Sequence, residues 1–387
     1  MGERMIIVGA GALGLAIAER LAAKAGRVIV VDQGLPGGGT SGTSFGWLNA
    51  NAKVPRSYHR LNVDAVEVWR RAANDRATAP WLHLNGRIQW AEGVAEIGEL
   101  DRATAAMRAW DYPVESITLA EARRLEPDLR IAPRAEVLLW PSEGFLVPPP
   151  AIEWLVTRAR SSGVEILTAA PVAGFGVRRG AVRGIVLEDG SALEADHVVT
   201  CAGRWTESLL STAGVHVPLH SATPGSPSLG LLGYTTAAET RLARTITGPG
   251  LSVRPDTTTG RYVLQGIGLD HLAIPGESPD PGGEVGRELI ARARSLMAGF
   301  EAAHIDEVRV GYRAVPADRV TVAGWAPGIG GLYVVATHSG WTLALHLGEL
   351  VAREVADGTV EPALADFRPD RFAAPVAAAV VESRPVH

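Results

Sequence analysis

The sequence predicts an α/β protein, a Rossmann-like dinucleotide-binding domain interrupted by a mostly antiparallel-sheet domain. Three observations carry that expectation. A short apolar strand runs into the glycine turn Gly9-Ala10-Gly11-Ala12-Leu13-Gly14 and then a helix. A second apolar strand follows and leads to an acid, Asp32. After the prolines at 148–150 the pattern turns to short strands with turn signals, then returns to strand and helix.

Met5 to Val8 reads as a buried strand and Gly14 to Ala25 as a helix with apolar residues at Leu15, Ala18, Leu21 and Ala22. Arg27 to Val31 is a Val/Ile run of the kind found in parallel sheets covered on both faces. Gly37 to Gly46 is a Gly/Ser/Thr loop, and Pro55 to about Ala79 a long amphipathic helix. The stretch from Trp81 to Trp140 mixes a strand around Arg87–Trp90 with helices, and Thr118 with Glu121 forms a capping box. A helix to Ser162 opens at the three prolines. A meander follows over Val164–Leu167, Val172–Val177, Val182–Leu187 and Ala192–Val199, with a hairpin turn at Asp189-Gly190. Leu219 to Gly250 is irregular and reads as a lid or an interface. Strands at Leu251–Arg254 and Tyr262–Ile267 and a helix at Glu284–Phe300 come next. Strands at Ile305–Gly311, Val320–Ala323 and Leu332–Ala336 and a helix at Trp341–Ala356 finish the chain.

The totals narrow the function. A chain of 387 residues suggests about two domains. With 47% hydrophobic and 20% charged residues it belongs with globular proteins. A net charge of −5 without a basic run argues against a nucleic-acid surface. Cys201 is the one cysteine, so no disulfide framework or cysteine zinc site is expected, nor any other metal site. The N-terminus superficially resembles a signal peptide but reads better as strand, turn and helix. No run approaches the roughly 20 apolar residues of a membrane span, so the expected location is cytoplasmic. Lys24 and Lys53 are the only lysines, which leaves few residues for any role that needs an amine.

The glycine turn carries the first chemistry. Gly9 permits a tight turn, Gly11 lets backbone approach a pyrophosphate, and Gly14 lets helix and strand meet. The free N–H groups of the helix start favour an anion. Asp32 stands where a carboxylate accepts from an adenosine ribose, with Gln33 beside it. Gly9, Ala10, Gly11, Leu13, Gly14, Asp32 and Gln33 are therefore candidate cofactor contacts. The loop after the acid replaces the further βαβ units of a nicotinamide domain. Its Thr40, Ser41 and Ser44 hydroxyls and its amides suit a second diphosphate contact. Phe45, Gly46, Trp47 and Leu48 follow, and three bulky apolar side chains are out of place in a solvated linker.

These features resemble the D-amino-acid oxidase family of FAD-dependent oxidoreductases, which includes glycine oxidase, sarcosine oxidase and D-amino-acid dehydrogenases. Besides the N-terminal turn, the resemblance rests on Val198-Val199-Thr200-Cys201-Ala202-Gly203-Arg204-Trp205 and on Gly311-Tyr312-Arg313 with Asp318. It also rests on Thr337-His338-Ser339-Gly340-Trp341-Thr342-Leu343 and Phe367-Arg368-Pro369-Asp370-Arg371-Phe372. It covers most of the chain and implies bound FAD. It places FAD beside Ala202, Gly203 and Trp205, with the Val172 strand toward the adenine. Gly340, Trp341, Thr342 and Leu343 would start a helix facing the flavin N1–C2=O region.

The resemblance gives Arg313 a substrate carboxylate, with a structural pairing to Asp318 as the alternative. His338 and Tyr262 are further catalytic candidates, and Tyr234, Arg56 and His59 could face the substrate. The outer face of its helix is the alternative for His59. Lys53 is a candidate for the charge that favours reaction with O2. Thr342 stands where sarcosine-type relatives have lysine. Ala314 offers no nucleophile where some relatives attach flavin through cysteine, and Phe45 lies near the position of a flavin-linking histidine in others, so FAD is expected to be noncovalent. Trp47, Trp90, Trp140 and Trp341 hint at a bulky ligand. The expected reaction is hydride transfer from the carbon bearing the amine to flavin N5, then hydrolysis of the imine. The partners are a small amine or amino acid and O2 or another acceptor, and an oligomer is compatible. A hydroxy-acid or polyol dehydrogenase and an FAD-carrying subunit of a larger enzyme are the rival readings. The expected FAD domain takes residues 1–80, 145–215 and 305–375, the substrate domain 81–144 and 216–304, and a tail 376–387.

Overall fold

A computed structural model describes residues 2–373; the expected tail over 376–387 lies outside the described residues. The chain divides into two compact units. Of the described residues, the first takes those up to Gly42, Ile152–Ser221 and those from 312 to 373; the second takes Thr43–Ala151 and Ala222–Gly311.

The first unit is built on a six-stranded sheet. Its order is Val322–Trp325, Leu332–Ala336, His197–Thr200, Arg4–Val8, Arg27–Val31, Glu165–Leu167. All neighbours run parallel except the first pair. Arg4–Val8 and Arg27–Val31 are buried at every residue but the first, as expected of strands covered on both faces. The helices Ala12–Ala22 and Gly340–Asp357 cross closely. A Cβ on Gly348 would lie 2.9 Å from the Ala16 carbonyl oxygen.

The expected meander is divided. Glu165–Leu167 and His197–Thr200 join the parallel sheet. Only Val172–Arg178, Ala181–Leu187 and Ala192–Glu194 form an antiparallel sheet of their own. His197–Thr200 is buried inside the parallel sheet, while Glu165–Leu167 forms its largely exposed edge. The Asp189-Gly190 turn forms, with Gly190 at φ +84° and the Ser191 N–H donating to Asp189 Oδ1 at 2.9 Å.

The second unit holds an eight-stranded sheet. Its order is Ile305–Tyr312, Leu229–Thr235, Arg261–Gly266, Leu251–Asp256, Thr245–Gly248, Arg87–Ala91, Glu136–Trp140, Glu115–Ser116. Thr245–Gly248 and Arg87–Ala91 pair parallel, while the other pairings described run antiparallel. The irregular reading of residues 219–250 is corrected here. Leu229–Thr235 is buried at all seven residues, inside the sheet. Its Leu-Gly-Leu-Leu-Gly-Tyr-Thr run lacks alternation because both faces are covered. The long helix ends earlier than expected, at Arg56–Ala72. The Thr118–Glu121 capping box forms in both directions.

Aromatic residues and one ion pair make the second unit's interior. Trp140 and Trp90 are buried, and their indole N–H groups donate to Gln89 and Glu92 at 3.1 Å each. Those two tryptophans are core rather than ligand walls. Arg87 Nε lies 2.8 Å from Glu143 Oε2, and the guanidinium stands 5.1 Å from the rings of both Trp47 and Trp140. Glu143 also accepts from the Asn51 N–H at 3.1 Å and the Tyr112 hydroxyl at 3.3 Å. His59 is buried against Trp110 and Tyr112, with Nδ1 2.8 Å from the Ala50 carbonyl. It does not lie on the outer face of its helix. Arg56 is exposed.

The Phe367–Phe372 segment turns out to be a clasp of the first unit. Arg368 grips Glu354 through two bonds, at 2.6 and 2.5 Å, and Glu354 also accepts from the Tyr333 hydroxyl at 2.6 Å. Arg371 pairs with Asp318 at 2.7 Å, and Phe367 and Phe372 are buried. Burial alone would raise Glu354, but the bonds from Arg368 and Tyr333 outweigh it and hold the carboxyl below its ordinary value. Replacing Arg368 with Met would leave Glu354 buried without its counter-charge. We expect a loss of roughly 3 kcal/mol at neutral pH in denaturant unfolding. A depressed carboxyl stabilises above its ordinary value of 4.5 and loses that contribution as pH falls through its folded value. The gap between Arg368→Met and wild type should therefore narrow below about pH 4.5.

Candidate functional site

The glycine turn has the geometry its residues suggest. Gly9 sits at φ +110°, and a Cβ there would come 2.4 Å from the Cys201 carbonyl oxygen. A Cβ on Gly14 would come 1.9 Å from the Gly9 carbonyl oxygen, so helix and strand touch at backbone distance. Gly11 differs, because a Cβ there meets only Ser41 Oγ, at 3.1 Å. The fold itself therefore demands Gly9 and Gly14, while the bare backbone at Gly11 faces space that a ligand can use. Gly11 caps the helix Ala12–Ala22 without a side-chain bond, and no acid stands in the first turn. This end keeps its positive character and suits a diphosphate.

Asp32 is held from both sides. Its Oδ2 accepts from the Ala10 N–H and its Oδ1 from the Gly34 N–H, each at 2.7 Å. Carboxylate oxygens retain further lone pairs for a ribose hydroxyl. The Asp32 carbonyl accepts from the Ala170 N–H at 2.9 Å, which brings the start of the Val172 strand to the same edge. Gln33 is exposed beside it.

The Gly/Ser/Thr loop folds back onto this turn. The Gly37 N–H donates to the Ala10 carbonyl at 2.9 Å, and the Ala12 N–H donates to Ser41 Oγ at 3.0 Å. Thr40 donates its hydroxyl to the Tyr312 carbonyl. The Trp341 indole donates to the Ser41 carbonyl at 3.0 Å and so ties the last helix to the loop. That helix starts at Gly340 with no side-chain cap and no acid in its first turn, and Trp341, Thr342 and Leu343 are buried. Ala202 and Gly203 follow the strand His197–Thr200, and Trp205 is 39% exposed. Arg204 stacks between Trp205 and Tyr312, at 4.1 and 4.0 Å. The first unit thus gathers Gly9, Ala10, Gly11, Leu13, Gly14, Asp32, Thr40, Ser41, Val172, Ala202, Gly203, Trp205 and Gly340–Leu343. Among them the glycine turn, Asp32 and Ser41 meet at one helix start, an arrangement that fits a diphosphate.

Other candidates are placed as follows. Arg313 and His338 are partly buried in the first unit. The pairing of Arg313 with Asp318 is not the one formed, since Arg371 takes the Asp318 carboxylate. Cys201 is buried, and burial pushes its thiol up. Ser44, Phe45, Gly46 and Trp47 belong to the second unit. There Ser44 Oγ accepts from the Gly46 N–H at 3.1 Å, and Phe45 clusters with Leu232, Tyr234, Val263 and Trp47. Tyr262 spends its hydroxyl on the Thr240 carbonyl at 2.5 Å and packs edge-on against Phe300, the geometry of a core tyrosine. Lys53 is buried in the second unit, with no acid within ion-pair distance among the described residues.

Sequence reasoning missed Arg254. It is buried in the strand Leu251–Asp256, donates to the Phe45 carbonyl, and donates to the Pro255 carbonyl at 3.0 Å. The available signal was an arginine inside a strand otherwise fit for burial on both faces. Among the described residues no group of three or more His, Cys, Asp or Glu is placed to hold a metal ion. None of their helices is long and apolar enough to cross a membrane.

Comparison with known proteins agrees with this geometry. A family model described as FAD dependent oxidoreductase matches residues 4–354. The chain is similar to a glycine oxidase of Pseudomonas putida, 26% identical over 347 residues, covering 87% of this chain and 90% of the relative. In structure it is similar to glycine oxidase from Geobacillus kaustophilus, with a TM-score of 0.78, 23% identity, and 95% and 99% of the two chains covered. It is also similar to an L-amino acid deaminase from Proteus vulgaris, with a TM-score of 0.81, 19% identity, and 96% and 94% covered. With that family match spanning nearly the whole chain, this protein belongs to the D-amino-acid oxidase family of FAD-dependent oxidoreductases.

Proposed function

We propose that this enzyme oxidises the C–N bond of an amino acid or a related amine. The observation that carries the reading is its similarity to glycine oxidase along 87% of the chain. Ala10, Leu13 and Gly14 at the turn, with Gly9 and Gly11 making room, hold the diphosphate. Asp32 and Gln33 meet the ribose, and the Val172 backbone meets the adenine. Thr40 and Ser41 close over the diphosphate. Ala202, Gly203 and Trp205 flank the cofactor. The uncapped helix start at Gly340–Leu343 stabilises negative charge that develops near it.

FAD, when bound, supplies the acceptor for the hydride that leaves the carbon bearing the amine. The protein binds the amine in its neutral form, orients that carbon and excludes water, and the imine product then hydrolyses to a carbonyl and free amine. Arg313 offers a planar fork to a substrate carboxylate. His338 borders the start of the last helix. Lys53 supplies a buried positive charge for reaction with O2, and another acceptor is equally compatible with the fold. Cys201 is the only thiol, and burial keeps it protonated, which favours noncovalent FAD.

Three measurements test the reading. Asp32→Ala removes the acceptor of two N–H groups, each such charge-assisted bond being worth roughly 1.5–3 kcal/mol. FAD affinity should fall about tenfold or more, seen as a lower flavin-to-protein absorbance ratio in folded protein. Acid precipitation of the wild type should leave all flavin in the supernatant; flavin in the pellet would refute noncovalent binding. Anaerobic mixing with D-, L- and N-alkyl amino acids should bleach the flavin bands with one class. Bleaching by hydroxy acids or polyols alone would refute the amine reading, and a holoenzyme that nothing bleaches would point to an FAD-carrying subunit.

A further inference from the structure

The second unit buries two arginines completely and treats them differently. Arg87 is 2% exposed and neutralised by Glu143 at 2.8 Å. Arg254 is 1% exposed and has no carboxylate within 4.0 Å among the described residues. Its Nε and Nη1 donate to the carbonyls of Phe45 and Pro255, and Nη2 has no protein acceptor among the described residues. Asp256, two residues on, turns its Oδ1 to the N–H and hydroxyl of Thr258, at 3.0 and 2.7 Å. The rings of Phe45 and Phe145 stand 5.7 and 5.9 Å from the Arg254 guanidinium.

The other polar groups around Arg254 do not neutralise it. Burial raises Tyr234, and burial lowers His83 with Arg254 adding to the effect, so both are neutral at physiological pH. Arg309, stacked on Tyr234 at 4.4 Å, is satisfied by Glu307 through two bonds of 2.6 and 2.7 Å. Burial pulls Arg254 down to about 10, which still leaves it charged at neutral pH. A buried charge without a counter-charge is costly unless a ligand supplies one. Carbonyl dipoles and ring faces offset part of that cost. Fastening the Phe45 and Pro255 carbonyls takes Nε and Nη1 and no charge, so it does not account for Nη2 or the charge.

We propose that Arg254 binds a carboxylate of the substrate, with Phe45, Phe145 and Tyr234 as the surrounding walls. The proposal deepens the amino-acid reading and rests on it. An Arg fork with a free donor in a dry aromatic surround fits that anion better than it fits chloride or a neutral amide. The carboxylate is a second one, elsewhere on the substrate than the one beside the amine, which the proposed function gives to Arg313.

The test is calorimetric titration of the holoenzyme with acetate, acetamide and chloride. Acetate should bind about tenfold tighter than the other two or better, and R254Q should weaken acetate about tenfold or more at unchanged flavin content. Wild type that does not prefer acetate, or R254Q that binds it as wild type does, would overturn the proposal. Should R254Q yield no soluble holoenzyme, R254K decides. Its point charge lacks the fork, so about threefold weaker acetate binding supports the proposal and unchanged affinity overturns it. Once the amino-acid panel gives a substrate, its amides identify the carboxylate. R254Q should raise KM for the parent about tenfold but leave KM unchanged for the amide at the bound position, and an unaffected parent KM overturns the proposal. Wild type that bleaches with amines yet ignores acetate sinks this inference alone. Acetate binding through Arg254 without bleaching by any amine sinks the amine reading alone.

Discussion

The carboxylate of Asp32 joins the parts of the first unit that a dinucleotide needs. One oxygen holds Ala10 in the glycine turn and the other holds Gly34 at the start of the loop. The same residue's carbonyl anchors Ala170, just before the strand Val172–Arg178. A turn, a loop and a second sheet are thereby positioned around one charged group. Charge-assisted bonds to backbone amides are short and strong, so the edge is organised before any ligand arrives. The contact of Gly14 with the Gly9 carbonyl completes this arrangement, because it sets where the helix start points.

The second unit depends on buried polar groups of another kind. Arg87 and Glu143 neutralise each other in a surround of Trp47, Trp140 and Tyr112. Glu143 also holds the Asn51 N–H, so the ion pair shapes the segment that follows the aromatic residues Phe45 and Trp47. Such a pair adds little net stability over an apolar core, yet it leaves few alternatives for how the segment runs. Arg254 lies in the same unit without that compensation, and the contrast makes it informative.

Much of this was legible in the sequence. The strand, glycine turn, helix and acid of residues 4–32 lie where their spacing placed them, because short-range sterics dictate each step. The Thr118–Glu121 cap and the Asp189-Gly190 turn are local in the same sense. What the sequence hid was partnership at long range. Glu165–Leu167 and His197–Thr200 read as neighbours of the meander, yet they pair with Arg27–Val31 and Arg4–Val8. Leu229–Thr235 read as loop because a strand covered on both faces shows no alternation. At the candidate sites, Ser41 and Trp341 were named from motif position, but their bond across 300 residues was not foreseeable. Nothing in a single chain marks Arg254 as unneutralised, because neutralisation depends on residues far away in sequence.

The interleaving of the two units has a consequence in time. Arg4–Val8 is synthesised long before its sheet neighbour His197–Thr200, and Leu332–Ala336 comes later still. The second unit likewise needs both Thr43–Ala151 and Ala222–Gly311. Neither unit closes its sheet until most of the chain has left the ribosome. Apolar strands such as Arg27–Val31 must therefore wait with unpaired edges, and folding is paced by the latest strands to appear.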